Sequence, residues 1–161
     1  MEPAAVEASI DVAAPIAAVF GVISDPRRLG EWSLELTDAD WTGRWSAPEV
    51  GARFLAGMRL GRFTPDRTCE VVEHEPPTVH AWRTRPTTAM PESTLWRFVL
   101  HVVDGGTRID MDVQTLRRNP VIGRLIHRVA THRTDPEATA RQELIRLAGL
   151  FEPPPVDAPR V

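Results

Sequence analysis

The sequence predicts an α+β domain in which one strand and two short helices precede six further strands, with a long helical segment closing the chain. Three observations predict it. Val6, Ala8, Ile10 and Val12 alternate with Glu7, Ser9 and Asp11, the period-two pattern of a strand with one buried face. From about residue 35 to 116, strand-forming runs are separated by turn residues and no helical period occurs. After Asn119 the apolar residues return to a spacing of about 3.6.

The elements follow in order. Pro15 opens a segment in which Ile16, Val19, Phe20 and Ile23 fall at i, i+3, i+4 and i+7, an amphipathic helix that must stop before Pro26. Asp25 reads as an N-cap with Pro26 at the first helical position, so Arg27 to Glu31 form one more turn that delivers Trp32 to the edge of the core. The six later strands cover roughly residues 35–42, 52–60, 66–74, 78–85, 93–103 and 107–116. Gly105 and Gly106 supply the positive φ angles of a tight hairpin, and Pro76-Pro77 marks another connection because proline cannot donate to a central ladder. Near the end, Ile122, Leu125, Ile126 and Val129 form one stripe. Ala140, Leu144, Leu147, Ala148 and Phe151 form a second stripe in phase with it, which predicts one long helix kinked at Pro136. Glu152-Pro153-Pro154-Pro155 ends it, giving a single domain over residues 1–152 and a Pro-rich tail over 153–161.

Composition narrows the function classes. The chain has 161 residues, 42% of them apolar, enough for one domain that buries about 69% of its extended surface. Cys69 is the only cysteine, which excludes an internal disulfide and fits a reducing compartment. No apolar run approaches the roughly 18 residues of a membrane span, and Met1 to Ile10 carries Glu2 and Glu7 without a basic residue. A cytoplasmic protein without stable membrane insertion is expected. A net charge of -3 argues against a phosphate-neutralising protein. Seven arginines between Arg117 and Arg146 read as the solvated side of a helix rather than a nucleic-acid site. No glycine-rich phosphate loop follows a strand, so no cofactor is expected. His74, His80, His101, His127 and His132 show no metal-binding spacing with each other or with Cys69, so no metal is expected.

Several segments narrow the fold further: Trp32-Ser33-Leu34-Glu35, Val50-Gly51-Ala52-Arg53-Phe54, Thr68-Cys69-Glu70-Val71-Val72, Ala81-Trp82, Thr94-Leu95-Trp96-Arg97-Phe98 and Gly105-Gly106-Thr107-Arg108. In order and spacing they resemble the polyketide cyclase/dehydrase-like branch of the START-related (SRPBCC) superfamily, over about residues 4 to 151. The resemblance implies a helix-grip fold, a curved seven-stranded antiparallel sheet wrapped around the C-terminal helix, with a cavity between them for an apolar molecule. It does not imply a reaction, since fold does not fix function. Where many relatives carry a polar residue in the third strand, this chain has Met58, which favours an apolar ligand.

Strand alternation sorts the candidate residues. With the more apolar face turned to the helix, Phe54, Met58, Cys69, Trp82, Trp96, Phe98 and Met111 point inward, joined by Trp32 and by Leu125 and Val129 from the helix. They either line a ligand cavity or pack as ordinary core. Phe63 and Met90, apolar residues in otherwise polar loops, either close over the cavity mouth or cover the sheet edge. Glu35 matches the glutamate of the family's Trp-Ser-x-Glu segment. In a partly apolar mouth it would serve as a general acid or base, and otherwise as a surface or ion-paired glutamate. Arg83 and Arg97 alternate onto the outer face, as do Asp110 and Asp112, and Cys69 is expected to be a buried, unreactive thiol. The leading function is binding of a hydrophobic, aromatic or polycyclic small molecule. The alternative is a cofactor-free cyclase, aromatase or dehydratase using Glu35, and a homodimer is the base-rate expectation for assembly.

Overall fold

The computed structural model describes residues 4–59, 61–116 and 135–153. One antiparallel, curved sheet is built from β1 (Ala4–Val12), β2 (Leu36–Trp41), β3 (Arg53–Met58), β4 (Asp66–Glu75), β5 (Val79–Thr84), β6 (Thr94–Val103) and β7 (Gly106–Thr115). Its order is β1-β7-β6-β5-β4-β3-β2. The chain from β2 to β7 is therefore a meander, and β1 returns beside β7, pairing Val6 with Val113 and Ile10 with Ile109.

Two short helices lie between β1 and β2, as the proline spacing predicts. The first, α1 (Ile16–Ile23), buries Val19, Phe20, Val22 and Ile23 against the sheet. Asp25 then caps a 3-10 turn over Pro26–Arg28, its carboxylate accepting the Arg27 N–H at 3.0 Å. The chain runs on into α2 (Leu29–Trp32), whose last residue is fully buried. The C-terminal helix α3 (Pro136–Gly149) turns Ala140, Leu144 and Leu147 to the core and lies along β1 and against α2.

Two expectations are corrected. Asp135 leaves the helical conformation, with φ -37° and ψ 125°, and its side chain accepts the Glu137 N–H at 3.1 Å, so a capped helix begins at Pro136 rather than running through it. Phase matching alone could not tell these apart, because a stripe can stay in register across a break. Residues 117–134, which include Leu125 and Val129, lie outside the described residues, as does the tail beyond Pro153. In the β6–β7 hairpin only Gly105 has a positive φ, +79°. Gly106 is needed for a different reason: a Cβ there would run into the Val12 carbonyl oxygen where β7 begins beside β1.

The two glycines separate by experiment. Gly106→Ala is expected to lower the unfolding free energy by about 1–3 kcal/mol through overpacking, and Gly105→Ala by about 1 kcal/mol through the positive φ. Urea denaturation of both variants checks the order.

Candidate functional site

Alternation along β4 to β7 gathers the large aromatic residues on the inner face. Trp82 stacks on Phe98 at 5.3 Å and on Trp96 at 6.0 Å, with interplanar angles of 19° and 20°. Trp32 arrives from α2 and meets Phe98 and Trp82 edge-on at 5.7 and 6.4 Å, and Phe54 meets Trp82 at 6.3 Å. Met111 is buried on the same face, paired with Phe98. The structure thus brings Trp32, Phe54, Trp82, Trp96, Phe98 and Met111 together as expected of core or lining. The indole N–H groups of Trp32 and Trp82 are both buried, with no hydrogen-bond partner among the described residues. Unpaired buried donors are uncommon, since each costs about 1–3 kcal/mol.

Where α3 passes the turn between α2 and β2, a carboxylate is buried. Glu143 is 2% exposed. Its Oε1 accepts the Leu34 N–H at 2.7 Å, the Ser33 hydroxyl at 2.9 Å and, more weakly, the Glu35 N–H at 3.4 Å. Ser33 Oγ in turn accepts the Leu36 N–H at 3.1 Å. This ties the helix to the turn that carries Trp32 and Glu35. Burial pushes the Glu143 carboxyl up to about 7, and the charge of Glu35 pushes the same way, against the three hydrogen bonds. Glu35 is half-buried beside it, directly ahead of β2. The sequence reading found Glu35 and missed Glu143, although a signal was present. Glu143 occupies the i+3 position of the stripe Ala140, Leu144, Leu147, where an acid has no solvent to face.

A cation is buried at the other end of β4. Arg67 alternates with Cys69 and Val71 and is 3% exposed. Its Nη2 donates to the Arg85 carbonyl at 3.1 Å and to the Glu92 carbonyl at 2.9 Å, the two ends of the β5–β6 loop. Its Nη1 lies 3.8 Å from Met90 Sδ and 4.0 Å from Met58 Sδ, while Nε is buried without a partner. Among the described residues no carboxylate forms an ion pair with it. The alternation that places Cys69 and Val71 inward also places Arg67 inward, so this residue was legible and passed over. Phe63, expected either to close over the mouth with Met90 or to cover the sheet edge, is 70% exposed.

Histidines expected to be unrelated come together. A bulge between Val71 and Glu73 shifts the phase of β4, so that His74 pairs with His80 on the inner face and Glu73 turns outward to an ion pair with Arg97 at 3.1 Å. The two Nδ1 atoms lie 3.1 Å apart beneath Phe20. Burial, with His74 alongside, lowers His80 to about 3 and holds it neutral. No group of three or more metal-ligating side chains occurs among the described residues. Cys69 is buried and its thiol is pushed up to about 12, an unreactive group. Arg83 pairs with Glu70 at 3.6 Å on the outer face, and Asp110 with His101 at 2.9 Å and Ser9 at 2.7 Å. A cleft of about 520 Å³ on that outer face is lined by Glu7, Ser9, Arg97, Asp110 and Asp112, a polar groove on the side of the sheet away from the aromatic residues.

Glu143 yields a pH test. Its carboxyl titrates near 7 in the folded chain against 4.5 for the ordinary group, so the folded state holds this proton more tightly. That contribution to stability is complete below about pH 4.5 and is lost as pH rises through 7. Glu143→Gln keeps an acceptor oxygen for Ser33 and Leu34 and removes the charge. The variant is therefore expected to gain on the native protein by on the order of 2–3 kcal/mol between pH 5 and 8. Parallel pH dependences in urea denaturation would remove the buried carboxylate as their cause.

Comparison with known proteins fits this architecture. Residues 3–156 match the family described as polyketide cyclase / dehydrase and lipid transport. No curated protein matches the chain by sequence. Among solved structures, the aromatase/cyclase Zhui from Streptomyces sp. R1128 superposes with a TM-score of 0.69 at 14% identity, covering 93% of this chain and 94% of that one. A START superfamily protein from Mycobacterium smegmatis gives 0.65 at 15% identity, covering 91% and 96%. The Aha1 dimer from Colwellia psychrerythraea gives 0.56 at 16%, covering 92% and 96%. At such identities the likeness is one of fold, the helix-grip arrangement of a sheet around a C-terminal helix. With its sheet order, its capped C-terminal helix and a family match over nearly its whole length, the chain belongs to the polyketide cyclase/dehydrase and lipid transport family.

Proposed function

We propose that the chain binds an apolar, aromatic small molecule carrying oxygen acceptors, held against the inner face of the sheet by Trp32, Phe54, Trp82, Trp96, Phe98 and Met111, with Met58 and Met90 at one end. The observation that carries this reading is the pair of buried indole N–H groups on Trp32 and Trp82 without acceptors. A core that served only packing would use Phe or Leu at these positions and avoid the cost. A ligand carbonyl supplies the missing acceptor, and apolar burial supplies most of the affinity. The family match to lipid transport and cyclase proteins supports the same class of ligand. No cofactor is needed for this role. No helix among the described residues is long and apolar enough to cross a membrane, and a cytoplasmic carrier fits the composition.

A second reading is favoured by Glu143. A carboxyl that titrates near 7 beside Glu35 is poised to give up or take a proton at neutral pH, as a cyclase or dehydratase requires. In that role the pocket folds a reactive chain and Glu35 and Glu143 move protons, so Glu35→Gln lowers turnover by on the order of 10²-fold while leaving ligand affinity in place.

Binding is tested with anthraquinone and anthracene, which share a ring system and differ in two carbonyl oxygens. Both are expected to quench tryptophan fluorescence, anthraquinone the more tightly. Trp82→Phe is expected to weaken anthraquinone roughly 2–10-fold and to leave anthracene nearly unchanged. If neither compound alters fluorescence or melting temperature, the inner face is plain core and the reading fails.

A further inference from the structure

The ligand-binding reading leaves Arg67 unexplained, because nothing in an uncharged apolar ligand answers a buried cation. Its guanidinium carries five N–H donors and stays protonated under any ordinary condition. Two of those donors go to the carbonyls of Arg85 and Glu92, which hold the loop but cancel no charge. The Nε–H group is buried and unpaired, and the Nη1–H groups face the thioethers of Met58 and Met90, weak acceptors at best. Glu92 is the acid whose charge reaches the site through space, and it forms no ion pair there. A loop that needed only to be closed could be held by a neutral donor, without the desolvation cost that a buried charge carries.

We propose that Arg67 is the binding site for the carboxylate of an acidic apolar ligand, which lies beneath the 85–92 loop with its body along the inner face of β4. The chemistry of the site selects this class. A monoanion matches the single charge, whereas a phosphate dianion would require more donors than Nε and Nη1 provide among two thioethers. The surroundings continue the argument. Beyond Arg67 on the same face come Cys69, which pairs with Phe54, and Val71, which pairs with Trp82. A molecule anchored at Arg67 therefore reaches the aromatic cluster over about 13 Å of strand. Because Nη2 holds both ends of the loop, the same side chain that receives the acid also keeps the loop over it.

The inference rests on the ligand-binding reading, and the experiment separates the two. The probes are 9-anthracenecarboxylic acid, ionised at pH 7.5, and its methyl ester, titrated against tryptophan fluorescence. The native protein is expected to bind the acid at least 10-fold more tightly than the ester. Arg67→Met is expected to bring the acid down to the level of the ester, with the ester within 3-fold of its native affinity, and Arg67→Lys to retain part of the preference. Equal native affinities for acid and ester would overturn the carboxylate site while leaving ligand binding intact. So would a preference that survives in a folded Arg67→Met protein. If neither probe binds, both readings fall. Should Arg67→Met not fold, the native acid-to-ester ratio and Arg67→Lys decide.

Discussion

The structure depends on covering one face of a wide antiparallel sheet, and Trp82 is the residue around which that cover is organised. Its ring meets Trp32, Phe54, His80, Trp96 and Phe98. A seven-stranded sheet offers a wide apolar face, and large aromatic side chains fill its depth as well as its area. That requirement explains why α2 exists. Four residues of helix bury little by themselves, but they carry Trp32 onto the rings of Trp82 in β5 and Phe98 in β6.

Once the aromatic layer is in place, polar groups at its two ends acquire their character from it. At the α3 end, Glu143 loses water and is compensated by Ser33, Leu34 and Glu35, so its proton is held to about neutral pH. At the loop end, Arg67 loses water and is compensated only in part, by two carbonyls and two sulfur atoms. The layer between them contributes two indole N–H donors that find no acceptor among the described residues. An apolar wall with an acid at one end, a cation at the other and donors between is a polarity pattern that a purely structural core does not need. His74 and His80 show the opposite solution. Their two nitrogens face each other at 3.1 Å, a distance at which one proton can be shared, and burial disfavours charge on both and holds His80 neutral.

The outer face obeys simpler rules. Arg83 with Glu70 and Arg108 with Asp11 pair across neighbouring strands and Arg97 with Glu73 across the intervening β5, each of these partly exposed pairs worth little in isolation. They make the outer side of the sheet polar, whereas the inner face carries the aromatic layer.

Much of this was legible in the amino-acid sequence because it depends on local periodicity. Alternation in β1, the proline-bounded α1, the Asp25 cap and the inward set Phe54, Trp82, Trp96 and Phe98 follow from spacing alone. Arg67 and Glu143 were legible too, since each sits on a stripe whose other members are apolar. What the sequence could not supply is anything that requires a change of phase or a meeting between distant segments. The bulge after Val71 reverses the facing of β4 and creates the His74–His80 contact, which alternation would have placed on opposite sides. Residues 33–35 meet residue 143 only because α3 packs against α2 and the turn that follows it. Composition and period thus determined which faces are apolar, since that is a property of neighbouring residues. Tertiary structure decided which polar groups those faces strip of water, because desolvation is set by whatever the chain brings back across a hundred residues.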